Sequence, residues 1–154
     1  MSDCCSVKNK PGVAPAVMPC PINGRRSKRV DTLTVKSLVR KLPFGIPDTQ
    51  YYFCDSPDCE VVYFGFHKEA PRFRREDLTV RVGAKETDDP VPVCYCFGVT
   101  RTEIWDEIRN TGKSTAAERI AAEVVAGRCT CEVRNPSGKC CLGDIARTIK
   151  KGAS

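Results

Sequence analysis

Polar residues and scattered prolines fill positions 1–19, and Pro11, Gly12, Pro15 and Pro19 leave too little apolar bulk to build a core. That stretch is expected to be disordered. Periodicity begins after it. Residues 29–32 read as a short strand. Val35, Leu38, Val39 and Leu42 then recur at i, i+3, i+4 and i+7, the apolar face of a helix that Thr34 caps and Pro43 ends. The apolar runs YYF at 51–53 and VVYF at 61–64 flank Cys54 and Cys59, which predicts a hairpin with two cysteines at its tip. Alternation of Leu78, Val80 and Val82 ahead of Gly83 predicts one more strand, buried on a single face.

From residue 93 the period turns helical. Thr100 and Glu103 have capping-box spacing at the start of a helix with Ile104, Trp105 and Ile108 inward. Thr115 and Glu118 repeat the spacing for a second helix, whose Ile120, Ala121 and Val124 face the first, and Gly127 stands where a C′ residue belongs. A last helix is expected to start at Asp144, with Ile145 and Ile149 packed back and Lys150 and Lys151 at its cation-favouring end. The polar, proline-marked residues 86–92 place a boundary near residue 88. The chain therefore reads as α+β: a disordered segment 1–19, a small zinc-stapled ββα-type module with a β-hairpin at 20–88, and a helical module at 89–154.

Cysteine usage supplies the chemistry. Eleven of the 154 residues are cysteines, and six of them lie between Cys94 and Cys141. No apolar run approaches the ~18 residues of a membrane span, and no apolar signal core opens the chain, so the expected location is the cytosol. Thiols in that compartment favour metal sites over disulfides, and an odd count cannot pair completely. The spacings Cys94-x-Cys96, Cys129-x-Cys131 and Cys140-Cys141, with about thirty residues of helix between the first pair and the others, read as a 2Fe–2S cluster site. Zinc on the same thiols is the competing reading. The net charge of +6 suggests nucleic acid. However, a four-thiolate cluster and a four-thiolate zinc each carry about −2, which brings a filled protein to roughly +2 and weakens that case. No hydrolytic triad, phosphate-cradling loop or carboxylate pair is present.

In the first module, Cys20 opens a knuckle whose Asn23-Gly24 favours a tight turn, and Cys54-x4-Cys59 supplies two further thiolates. A zinc on Cys20, Cys54 and Cys59 needs a fourth ligand. Cys4 or Cys5 is the softest candidate, with Asp55, Asp58, His67 or a water behind them, and an open fourth place suits exchange of a soft metal as well. Unliganded, His67 beside Lys68 and Glu69 is a surface residue. Arg72, Arg74 and Arg75 make either a solvated face or a docking patch for an acidic redox partner.

Three stretches carry a family likeness: VCYCFGVT at 93–100, CEVRNPSGKCCL at 131–142, and YYFCDSPDCEVVYF at 51–64. The first two resemble bacterioferritin-associated ferredoxin-type 2Fe–2S domains. Over roughly residues 18–145 the chain is more similar to the N-terminal iron–sulfur and zinc domain of the CopZ copper chaperones. That resemblance implies a 2Fe–2S cluster and Zn2+, single-electron transfer in copper or soft-metal handling, and a redox or metal-trafficking protein as partner. The second cysteine group departs from the ferredoxin pattern, being CxC…CC instead of CxxC. Six thiols then compete for four places: Cys94, Cys96, Cys131 and Cys140 are favoured, with Cys129 and Cys141 as alternates. No M-x-C-x-x-C copper motif occurs, so the usual copper-delivery arm is expected to be missing, and spare thiols at Cys4 and Cys5 or at Cys140 and Cys141 are candidate Cu(I) holders. Two rivals remain: a regulatory or assembly protein using the cluster as a sensor, and a structural zinc module that binds nucleic acid.

Overall fold

The computed structural model describes residues 14–40 and 49–153. Among these, the order is β1 (Val17–Pro19), β2 (Arg26–Val30), α1 (Thr32–Leu38), β3 (Tyr51–Phe53), β4 (Val61–Gly65), β5 (Phe73–Arg74), β6 (Pro92–Cys94), β7 (Val99–Thr100), α2 (Arg101–Thr111), α3 (Ala116–Val125), α4 (Cys131–Arg134) and α5 (Leu142–Ala153). Two 3-10 turns stand at Arg75–Asp77 and Gly83–Lys85. The class is α+β. Strands β1 to β5 form one antiparallel sheet in chain order, and β6 pairs with β7.

The unbroken run VVYF in β4 has a physical reason: the sheet is covered on both faces, so every one of these side chains is buried. Val62 and Tyr63 join Val30, Val35, Leu38, Tyr51 and Leu78 on the face that α1 covers. Val61 and Phe64 join Cys20, Tyr52, Cys54 and Cys59 on the other. A register shift between Val61 and Tyr63 breaks the simple alternation. On the cysteine face Tyr52 stacks on Phe64, with ring centroids 5.5 Å apart.

Several expectations change. The run expected to be disordered up to residue 19 contributes β1, paired with β2, and the Tyr52 hydroxyl donates to the Pro15 carbonyl at 2.7 Å. The strand expected at 29–32 spans Arg26–Val30. Helix α1 has Asp31 at its N-cap without a side-chain cap, and Thr34 lies inside it, fully buried, donating to the Glu132 carbonyl at 2.6 Å. Extended backbone at Val39 ends α1, and Leu42 and Pro43 lie outside the described residues. The alternation at 78–82 yields one bridge, Val39 with Leu78, instead of a strand. Leu78 and Val82 are held by burial in the core beneath α1, not by a ladder.

In the helical half, Thr100 caps α2 as expected, accepting the Glu103 N–H. Thr115 stands at the N-cap of α3 but makes no side-chain cap. Instead the Glu107 carboxylate, on α2, accepts from the Thr115 N–H and hydroxyl and from Ser114. Helix α5 starts at Leu142, two residues before Asp144, and lies against both α2 and α3. Ile145 of α5 is fully buried with Ile104 and Ile120, and the Trp105 indole donates to the Thr148 carbonyl at 3.0 Å. Among the described residues, no helix is long and apolar enough to cross a membrane.

The sheet and the helical half are tied by polar contacts, of which the one from Tyr63 is buried. The Tyr63 hydroxyl donates to the Pro136 carbonyl at 2.5 Å. Tyr95 donates to the Arg81 carbonyl and accepts the Gly83 N–H, each at 2.7 Å. Gly138, at φ +71°, comes so close to α1 that a Cβ there would sit 2.8 Å from the Thr34 hydroxyl oxygen. Tyr63→Phe keeps the ring and strands a buried carbonyl. It should lower the free energy of unfolding by about 1–3 kcal/mol, measured by urea denaturation.

Candidate metal centres

The first centre is built by β1, the β3–β4 loop and the turn after residue 82. Cys20 follows β1 and starts a knuckle: Gly24, at φ +74°, donates its N–H to the Cys20 carbonyl at 2.8 Å, and Cys20 N–H meets the Arg25 carbonyl at 2.9 Å. Cys54 and Cys59 flank the loop between β3 and β4. The three sulfurs lie within 4.8 Å of one another, and all three residues are buried. Burial alone would raise the Cys20 thiol, but backbone N–H groups of Asn23 and Ile22, with the Cys54 and Cys59 thiols, outweigh it and lower its pKa. Cys54 has weaker help, so burial pushes it up to about 11. Three close thiols with amides aimed at one of them form a soft donor set that fits zinc.

Behind the trio sits Lys85, 2% exposed. Its ammonium donates to the carbonyls of Ser56 at 2.7 Å and Cys59 at 2.8 Å, and lies 4.0 Å from the Cys54 sulfur. Burial depresses its pKa, while the thiols of Cys54, Cys59 and Cys20 push the other way. Sequence reasoning missed this residue, because a lysine in the polar run 83–89 carries no signal of burial.

Among the described residues, no carboxylate or imidazole joins the trio. Asp55 is exposed and bound to Arg25 at 2.7 Å. Asp58 is exposed, as is His67, whose ring lies 5.5 Å from Phe66. Cys4 and Cys5 lie outside the described residues. The basic run is partly spent within the molecule, Arg74 on Glu60 and Arg75 on Glu86.

The second centre lies where β6, α4 and the start of α5 converge. The sulfurs of Cys96, Cys129 and Cys131 lie within 4.8 Å of one another, with Cys131 at 3.6 Å from both others. Cys141 reaches the same pocket from the residue before α5 and interacts with Cys94 and Cys131. Cys94, Cys131 and Cys141 are buried, and Cys96 and Cys129 are partly exposed. The Thr130 N–H donates to the Cys96 sulfur at 3.2 Å. Burial pushes the Cys131 thiol up to about 12 despite a backbone hydrogen bond from Cys141. Burial also raises Cys141 above the usual thiol range, and Cys94 and Cys131 add to the rise. Of the six sequence candidates, five converge and Cys140 is exposed.

Cys94 ends β6 and Cys96 sits in the β6–β7 turn, so a tight hairpin separates the pair from α2.

The model of a CopZ-type zinc binding domain matches residues 17–79. A protein of Archaeoglobus fulgidus named copper chaperone CopZ is 39% identical over 131 residues, covering 85% of this chain. The chain spans 61% of that relative's length. The X-ray structure of the N-terminal domain of Archaeoglobus fulgidus CopZ aligns with a TM-score of 0.67 at 36% identity, over 84% of this chain and 96% of that one.

Proposed function

Since the chain belongs to the family of CopZ N-terminal domains, we propose that it holds zinc at one centre and a 2Fe–2S cluster at the other, and carries single electrons in the handling of copper or a related soft metal. One observation carries this reading: five thiols from three chain segments meet at a joint separate from the Cys20, Cys54 and Cys59 trio. Zinc would be held by that trio. The cluster is assigned to Cys94, Cys96, Cys131 and Cys141, in place of the exposed Cys140, with Cys129 as a fifth thiol beside them.

The donor chemistry supports the assignment. A 2Fe–2S centre takes four thiolates and, when bound, accepts and returns one electron. Thiols with pKa values raised by burial stay protonated without metal, so loading must release their protons. Buried Cys94, Cys131 and Cys141 keep water from one side, and the N–H groups of Thr130 and Cys141 aim at the sulfurs of Cys96 and Cys131. Such hydrogen bonds are among the levers that set a cluster's potential. Partly exposed Cys96 and Cys129 leave an edge from which an electron can pass to a redox or metal-trafficking partner. The A. fulgidus relative is named a copper chaperone, and its longer chain leaves copper delivery by this protein a proposal.

An anaerobic reductive titration tests the electron role. About one electron per chain should bleach the visible bands, and air or a mild oxidant should restore them. Bands that survive an excess of reductant would overturn it.

A further inference from the structure

Lys85 is almost never the kind of residue found fully buried without a partner, and its position calls for an account that zinc ligation alone does not give. Its ammonium is anchored by two carbonyls of the loop that carries Cys54 and Cys59, and it lies 4.0 Å from the Cys54 sulfur. We infer that Lys85 is the charge-balancing positioning residue of the zinc centre, an inference that rests on the zinc reading above.

The charge arithmetic gives it a specific task. Zn2+ on three thiolates carries −1, and one buried ammonium brings the centre to zero. A buried ion group is stable only when its charge is compensated nearby. Among the described residues no other cation approaches the trio this way: Arg25 is exposed and committed to Asp55. A neutral total leaves no electrostatic demand for a fourth thiolate, so the fourth place suits water or another neutral ligand. The same two hydrogen bonds fix the loop geometry, linking the charge to the spacing of Cys54 and Cys59.

Two full-length variants separate charge from hydrogen bonding. Lys85→Met removes both, and Lys85→Gln keeps an N–H donor without the charge. Zinc affinity would be measured by competition with a chromophoric chelator, beside thermal unfolding of the zinc-free proteins. Both variants should bind zinc about 10- to 100-fold more weakly, the usual cost of losing an outer-shell partner. Wild-type affinity in Lys85→Gln would overturn the inference in favour of a hydrogen-bonding tie. Wild-type affinity in both, with lowered zinc-free unfolding temperatures, would overturn it in favour of a purely structural lysine. If Lys85→Met fails to fold, Lys85→Gln alone decides: weakened zinc binding upholds the inference and wild-type affinity overturns it. A wild-type protein that takes up no zinc refutes the zinc reading itself and is distinguished from either result.

Discussion

Cys54→Ser should yield a protein without zinc at its first centre and with the sheet half unfolded or molten, as read by zinc analysis and near-UV circular dichroism. Cys54 is fully buried beside Cys20 and Cys59, and its loop ties to Lys85 through Ser56 and Cys59. Structural zinc is worth on the order of 10–16 kcal/mol in small zinc peptides, against ~5–15 kcal/mol for the whole stability of a domain. Losing one of three thiolates therefore removes more than this half can spare. Exposed Asp55→Asn, by contrast, should keep zinc and lose only a solvent-screened pair with Arg25, leaving stability nearly unchanged. The alkaline response has a definite sign. Without metal, burial raises Cys54 from 9.0 to about 11, so the fold favours its protonated form. That contribution is complete below 9.0 and lost as pH rises through about 11. The metal-free protein should lose stability across that window, while the zinc-loaded protein, whose thiolates are already deprotonated, should not.

Cys131→Ser is expected to abolish the visible absorption of the anaerobic protein, while Cys140→Ser leaves it intact. Cys131 is the hub of the second centre: its sulfur lies 3.6 Å from both Cys96 and Cys129, and it interacts with Cys141. Cys140 is exposed and stands outside the converging thiols. Cys129→Ser should keep the spectrum with a shifted potential, because a thiol in contact with a ligand is lost and no assigned ligand is. Absorption that survives Cys131→Ser and disappears in Cys140→Ser would reverse the ligand assignment.

Much of this was legible in residue pattern, for reasons that differ by element. The hairpin around Cys54 and Cys59 announces itself because both flanking runs are apolar and the loop between them is polar. The Thr100 cap and the left-handed Gly127 after α3 are local signals, decided within one turn of helix. Pairings across the sheet were less visible. Strands β1 and β5 are short, and nothing in VMP or FR names the partner that makes each a strand. The alternation at 78–82 satisfies a core contact as well as it would a ladder. Adjacent Cys140 and Cys141 are indistinguishable in sequence, and only the direction of the chain entering α5 buries one and exposes the other. Lys85 was illegible for a related reason: its partners lie 26 and 29 residues away, and its role is tertiary throughout.

The most direct test of the two-centre account is an iron, sulfide and zinc count on protein purified without oxygen, taken beside its visible spectrum. The account predicts a red-brown protein with about two irons, two sulfides and one zinc per chain. A colourless protein that holds only zinc after anaerobic reconstitution with iron and sulfide would contradict it.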